Sequence, residues 1–323
     1  MCRLFSILAL TLALIPAILA SPIEKRSGPW LAIDTDFPDP SFVRAVNGSW
    51  YAFGTNGNGK HIQVARSDDF QTWTLLDVDA LPTLAGWETE VDHWAPDVVM
   101  RDDGKYVLYY SGEAKSDLRH HCVGAAISES INPAGPYTPE PNPLSCRLDH
   151  GGSIDPSHFI DTDGSRYIYY KVDGNSVGNG GDCNNGNPPI VPTPILLQKV
   201  ASDGVTLIGD AVEILDRDES DGPLVEAPSL IFHEGIYFLF YSTHCFTDPK
   251  YDVRYATATN VTGPYKKTGE QLLKGGQFGL TSPGGATVCD CADRMLFHAF
   301  CEENVRCTYA AYLSIEDKKV SIV

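Results

Sequence analysis

The sequence predicts an all-β protein, a single domain folded as a five-bladed β-propeller. One unit recurs five times: a proline, a short apolar stretch, a turn with an acidic residue or glycine, and an aromatic-rich strand. Its prolines are Pro40, Pro96, Pro156, Pro228 and Pro283, which stand 56, 60, 72 and 55 residues apart. A repeat of that length built from short strands forms one blade per copy. From each proline the next aromatic strand begins roughly 9 to 12 residues on, the length of one strand and a tight turn. No helix-period pattern longer than about two turns competes with this reading.

Taken in order, Met1 to Ala20 stands outside the fold. Arg3 supplies a small positive segment and Leu4 to Ala20 is a nearly unbroken apolar run containing Pro16. That is the pattern of a secretory signal peptide (1–20), too short and too N-terminal to span a membrane. Residues 21–26 end in Lys25-Arg26 and read as a short pro-segment cut after Arg26. The propeller then takes residues 27–323. Blade one opens with Asp39-Pro40 and leads to Tyr51-Ala52-Phe53, and blade two with Ala95-Pro96-Asp97, leading to Tyr106. Blade three opens with Asp155-Pro156 and leads to Tyr167, blade four with Ala227-Pro228, leading to Tyr237. The fifth and weakest copy is Ser282-Pro283-Gly284-Gly285, followed by Met295. Each aromatic strand is followed by one rich in small residues, such as Ala125-Ala126-Ile127-Ser128 and Ala310-Ala311, which suits close packing of sheet on sheet. The stretch 173–194 is rich in Gly, Asn and Pro, lengthens the third repeat, and reads as a long loop rimming a cleft.

Composition agrees with export. Losing Arg3, Lys25, Arg26 and Glu24 with the first 26 residues takes the formal charge from −18 to −20. So acidic a chain is not expected to bind nucleic acid or anionic membranes, which need basic patches. Cys122, Cys146, Cys183, Cys245, Cys289, Cys291, Cys301 and Cys307 remain, an even number that reads as up to four disulfides, with the last four pairing among themselves. Asn47-Gly48-Ser49 and Asn260-Val261-Thr262 are N-glycosylation acceptors in turns. A monomer is expected.

The chemistry lies in the register of the acids. The innermost strands of a propeller start at one mouth of its channel, so equivalent positions converge there. Asp39 and Asp155 immediately precede their prolines, Glu226 stands two before its own, and Asp97 one after. Converging carboxylates repel, and the stable response is for one to keep its proton at neutral pH. One carboxylate to activate water and one protonated carboxyl to assist a leaving oxygen is the inverting glycosidase arrangement. Asp39, Asp155 and Glu226 are therefore the catalytic candidates. Asp97 points to the other face of its strand and could serve the substrate or the structure. Trp94 and Phe37, adjacent to these positions, are expected in the pocket wall; Trp50 and Trp73 are assigned to blade cores, and Trp30 and Trp87 are left between the two roles.

Phe37-Pro38-Asp39-Pro40, His93-Trp94-Ala95-Pro96-Asp97, Ser153-Ile154-Asp155-Pro156 and Val225-Glu226-Ala227-Pro228 together resemble glycoside hydrolase family 43, from about Asp34 to about Phe300. The resemblance implies an inverting mechanism with Asp39 as general base, Glu226 as general acid, and Asp155 tuning and positioning the acid. Members often carry a histidine on blade five tied to a central metal ion; here Gly285 falls at that position, so no cofactor is expected and an axial calcium lacks that ligand. His298 matches a second family position and is either a substrate contact or a histidine bonded to backbone. No sandwich domain follows the propeller, which leans the substrate towards arabinan or arabinoxylan, with a β-xylosidase acting on xylo-oligosaccharides as the alternative. A non-catalytic propeller lectin and a retaining sucrose- or fructan-cleaving enzyme are the other readings; the latter lacks its Trp-x-Asn-Asp-Pro-Asn and Glu-Cys signatures here.

Overall fold

The computed structural model describes residues 27–323, so the expected signal peptide and pro-segment lie outside the described residues. The first strand, β1 (Trp30–Ile33), belongs to the last blade. Blade 1 is β2 (Ser41–Arg44), β3 (Trp50–Gly54), β4 (Gln63–Ser67) and β5 (Thr74–Leu75), and blade 2 is β6 (Glu88–Met100), β7 (Tyr106–Ala114), β8 (His121–Ser128) and β9 (Tyr137–Pro139). Blade 3 is β10 (Ser153–Ile160), β11 (Arg166–Val172), β12 (Ile195–Val200) and β13 (Leu207–Leu215). Blade 4 is β14 (Val225–His233), β15 (Ile236–Thr243), β16 (Asp252–Ala258) and β17 (Lys266–Lys274). Blade 5 is β18 (Thr281–Val288), β19 (Arg294–Glu302) and β20 (Val305–Glu316), with β21 (Lys319–Ile322) paired to the far end of β20.

The fourth strand of blade 5 is β1, antiparallel to β20 with Trp30 opposite Ala310. The N-terminal strand thus closes the ring and removes the edge that β20 would otherwise expose. Trp30 is buried in this closure, packed against Phe70 and Tyr312.

Five apolar clusters fill the five gaps between neighbouring blades. Phe53, Val64, Val98 and Leu108 join blades 1 and 2; Val107, Tyr109, Ile168 and Leu196 join 2 and 3; Tyr169, Leu197, Leu230 and Leu239 join 3 and 4. Phe238, Phe240, Met295 and Phe297 join 4 and 5, and Trp30, Phe42, Trp50 and Leu296 close 5 onto 1. This explains the aromatic second strands of the repeat. A strand covered on both faces cannot alternate, and all nine residues of β7 are buried. Trp50 and Trp73 lie in the core between blades 5 and 1, as the sequence suggested.

The repeat proline marks a kink. In every copy the residue before it has a positive φ: Asp39 (54°), Ala95 (44°), Asp155 (54°), Ala227 (50°) and Ser282 (47°). Proline excludes the right-handed helical region for its predecessor, and the left-handed region costs a non-glycine residue about 1 kcal/mol or more. The pairing register shifts at the same places, between Trp94 and Asp97, Ile154 and Ser157, and Glu226 and Ser229. Each inner strand is thereby bent at the mouth of the channel, which re-aims the side chains beside the proline.

Candidate active site

Asp39 lies half-buried at the start of blade 1. Thr55 Oγ1 donates to its Oδ2 at 2.6 Å, and Arg306 Nη1 from β20 stands 3.3 Å from its Oδ1. Burial alone would raise this carboxyl, but the Arg306 guanidinium, the His298 ring with Nδ1 3.2 Å from Oδ1, and the Thr55 hydroxyl outweigh it and hold Asp39 well below the usual carboxylate range. Arg306 is itself fixed from two sides. Its guanidinium carbon lies 4.7 Å from the Phe246 ring centroid, and its backbone N–H donates to Asp36 Oδ1.

Asp155 and Glu226 form a second group, on blades 3 and 4. Asp155 Oδ2 accepts from the Ala227 N–H at 2.9 Å. Glu226 Oε2 accepts from Lys171 Nζ at 3.0 Å and Oε1 from the Tyr251 hydroxyl at 2.9 Å. Burial, then the Glu226 charge, push Asp155 up to about 7, so Asp155 binds a proton near neutrality. Burial and the Glu226 charge hold Tyr251 far above its ordinary value, which keeps its hydroxyl a donor. The site thus contains a carboxyl held ionised, Asp39, on one side of the channel and one held protonatable near neutrality, Asp155, on the other, the two states that acid–base cleavage of an acetal draws on.

A ring of hydrogen bonds sets these positions. The Ala95 N–H donates to Thr55 Oγ1, the Asp155 N–H to Ser111 Oγ, the Gly285 N–H to Ser242 Oγ, and the Asp39 N–H to His298 Nδ1. In each case the acceptor comes from the second strand of the preceding blade or the residue that ends it. Burial pushes His298 below its ordinary value, so its ring is neutral and Nδ1 is free to accept. In blade 3 the matching residue is Lys171, which has no acceptor, and the Asp155 carboxylate takes the Ala227 N–H in its place.

Of the residues expected around the substrate, Trp94 is half-buried at the mouth, stacked on His121 with ring centroids 3.6 Å apart. Phe37 is not in the pocket wall: it has 0% exposure and packs in the core between blades 5 and 1, against the bare Cα of Gly54, so its ring has no face to offer a sugar. Asp97 also faces away from the mouth. Its Oδ2 accepts from Ser157 Oγ, the His158 N–H and His158 Nδ1, and it lines a cavity of about 360 Å³ at the opposite end of the channel. It is a clamp between blades 2 and 3. His298 is 1% exposed and orders the Asp39 backbone, which is the second of its two expected roles. Trp87 stacks on Tyr110 behind the rim.

Lys171, Tyr251, Arg306, Thr55, Ser111 and Ser242 were not anticipated. Four of them were readable in the repeat. Thr55, Ser111, Lys171 and Ser242 follow Phe53-Gly54, Tyr109-Tyr110, Tyr169-Tyr170 and Phe240-Tyr241, one polar residue after each apolar second strand. Arg306, at the start of β20, and Tyr251, in the connection before β16, carry no repeat signal. The long loop is tied down by one disulfide: Cys183 is bonded to Cys245, on the blade 4 loop that carries Tyr251. Cys122–Cys146, Cys289–Cys291 and Cys301–Cys307 complete the four disulfides.

The residues present do not assemble the axial metal site. A Cβ at Gly285 would meet His298 Cε1 and Nδ1 at 2.6 Å, so the imidazole fills the space a side chain there would need. Among the described residues, the one group of three His, Cys, Asp or Glu ligand atoms within 4.8 Å of one another is Cys289, Cys291 and Asp293, two of them joined as a disulfide.

The fold and these motifs have close counterparts. Extracellular endo-alpha-(1->5)-L-arabinanase 1 of Bacillus subtilis (strain 168) is 28% identical over 298 residues, 87% of this chain and 84% of its own. The probable arabinan endo-1,5-alpha-L-arabinosidase C of Aspergillus oryzae (strain ATCC 42149 / RIB 40) is 30% identical over 242 residues, 73% of this chain and 66% of its own. Among solved structures, a thermostable family-43 glycoside hydrolase superposes with a TM-score of 0.76 at 27% identity, over 90% of this chain and 94% of that one. The native Bacillus subtilis arabinanase gives 0.69 at 24% identity, over 91% and 99%, a likeness of fold. The sequence model of the glycosyl hydrolases family 43 matches residues 32–316, and the chain belongs to that family of glycoside hydrolases.

Proposed function

We propose that this chain is an exported, inverting glycosidase acting on arabinan or the arabinose side chains of arabinoxylan. The observation that carries the mechanism is the contrast between the two sets of carboxyl groups. Asp39 is held ionised by Arg306, His298 and Thr55, while burial and the Glu226 charge raise Asp155 to about 7. In this reading Asp39 takes a proton from a water as its oxygen bonds to the anomeric carbon. Glu226 gives a proton to the departing glycosidic oxygen on the other face, and the C–O bond breaks with inversion. Asp155 keeps the pair protonated and holds the Ala227 backbone beside Glu226. Trp94 supplies an apolar ring face beside the sugar.

The arabinan reading draws on the printed activities of the Bacillus and Aspergillus relatives. A xylosidase is the second reading, because xylosidase/arabinosidase 43A of Humicola insolens is 31% identical over 148 residues, 41% of this chain. Export rests on the apolar run after Arg3 and on the extracellular arabinanase among the relatives. We place signal-peptide cleavage after Ala20 and removal of the pro-segment after Arg26, with a monomer as the secreted form.

The test is hydrolysis of para-nitrophenyl α-L-arabinofuranoside, para-nitrophenyl β-D-xyloside and debranched arabinan, with the first-formed anomer read by proton NMR. Release from the arabinoside or the arabinan, with the β-anomer of arabinose appearing first, is the expected result. Release from the xyloside alone would install the second reading. A retained anomer would remove the inverting mechanism, and silence on all three with the fold intact would leave a sugar-binding propeller.

A further inference from the structure

Glu226 is the proposed proton donor, yet both of its oxygens are occupied by donors. Lys171 Nζ lies 3.0 Å from Oε2 and the Tyr251 hydroxyl 2.9 Å from Oε1. Lys171 itself is 0% exposed on β11, and among the described residues its other ion-pair partner is Asp173 Oδ1 at 3.1 Å. A completely buried lysine is expensive to keep, and its charge must be matched by its surroundings. Blades 1, 2 and 4 place Thr55, Ser111 and Ser242 at the matching position, and each uses it to accept a backbone N–H. Blade 3 alone substitutes a cation there, directly between the acid of blade 4 and the first residue of its own loop. The scaffold role of this position is an acceptor, which an ammonium cannot provide, so scaffolding does not account for it.

We propose that Lys171 is the positioning residue of the acid: with Asp173 as counter-charge, its ammonium fixes Glu226 through Oε2 and sets the charge balance at the Asp155–Glu226 pair. This rests on the reading of Glu226 as the acid. Two carboxyls alone in a buried site could take up a second proton, which would leave Glu226 without the charge that orients it. Lys171 opposes that, and Asp173 limits how strongly it does so. The balance of Lys171 and Asp173 therefore fixes the pH at which the pair loses its last proton, the alkaline limit of activity. Other charged or titratable groups surround the pair: Asp39 from blade 1, Tyr251 from the blade 4 loop, and His298 and Arg306 from blade 5, with His121 of blade 2 behind Asp173. Neither Lys171 nor Asp173 contacts Asp39, so both can be changed without touching the general base.

The experiment is the pH profile of kcat/KM on aryl arabinofuranosides for Lys171→Met and Asp173→Asn. Removing a cation strengthens proton binding by a neighbouring carboxyl, so Lys171→Met should move the alkaline limb up by about one pH unit or more. Removing the counter-anion weakens proton binding, so Asp173→Asn should move the limb down by at least a few tenths of a unit. Lys171→Met should also lose about tenfold or more in turnover on poor leaving groups, and Lys171→Arg should bring the limb back. Lys171→Met leaves two carboxylates without their cation and can unfold the blade, so the Lys171→Met/Asp173→Asn pair is measured beside it; it should fold and keep an upward shift. Limbs that coincide with wild type in both single variants, or that move in the same direction, overturn the proposal. Glu226→Gln separates the two layers. Impaired turnover there with unmoved limbs in the Lys171 and Asp173 variants sinks this proposal alone, whereas wild-type turnover in Glu226→Gln on poor leaving groups sinks the assignment of the acid and the proposal with it.

Discussion

Thr55→Val removes one oxygen that does two jobs. Its hydroxyl donates to Asp39 Oδ2 at 2.6 Å and accepts the Ala95 N–H at 2.9 Å, and the residue is 6% exposed. Valine keeps the shape, so the effect is that of the hydrogen bonds. The Ala95 N–H is left without its acceptor at a residue already in the left-handed region, and Asp39 loses a bond to its charged form. Together these should cost about 2 to 3 kcal/mol of stability. For a domain of this size that is a fall in Tm of about 5 °C. Asp39 should bind its proton more tightly and the acid limb of activity should rise, though Arg306 still holds the carboxylate ionised at neutral pH. Loss of orientation should lower kcat by about tenfold or more. Thr55→Ser keeps both bonds and should restore Tm and kcat together. Differential scanning calorimetry and initial rates on an aryl arabinofuranoside read both quantities. A Thr55→Val enzyme with Tm within about 1 °C and kcat within about twofold of wild type would refute the idea that the hydroxyl ring holds the site.

Glu226→Gln should lose about 10²- to 10⁴-fold in turnover on poor leaving groups and far less on activated aryl glycosides, because only the former need the proton. Asp39→Asn should be nearly inactive on both, and azide should not restore it through a retained product; a rescued, retained azide adduct would argue for a nucleophile instead. Replacing Cys183 and Cys245 by serine opens a bridge spanning 62 residues and should cost up to about 4 kcal/mol by loop entropy. KM should rise more than kcat falls if the loop rims the substrate, and an unchanged KM at lowered Tm would make the bridge a staple only.

The register of Asp39, Asp155 and Glu226 was visible because the propeller repeats its own sequence. The proline marks the same point of each inner strand, and period-two strands turn equal offsets into equal places around one axis. The disulfides were readable in number because cysteines in an exported chain pair, and in part in partners because the last four flank one hairpin. Phe37 misled for a simple reason. Closeness in sequence to an acid says nothing about which face of a kinked strand a ring takes, and Phe37 turned inward to fill the space over Gly54. Asp97 stood one place beyond its proline, past the kink, and the bulge delivered it to His158 at the other end of the channel.

The sequence by itself determined the blade count and the common register of the acidic positions, because those are properties of a repeat and are carried by local spacing. Only the tertiary structure decided that β1 closes the ring, that Arg306 reaches Asp39 from 267 residues away, and that Lys171 rather than a hydroxyl faces Glu226. Those depend on which blade lies next to which, and on charges that interact across the channel in a medium that screens them poorly. No local pattern encodes that neighbourhood; the closed ring creates it.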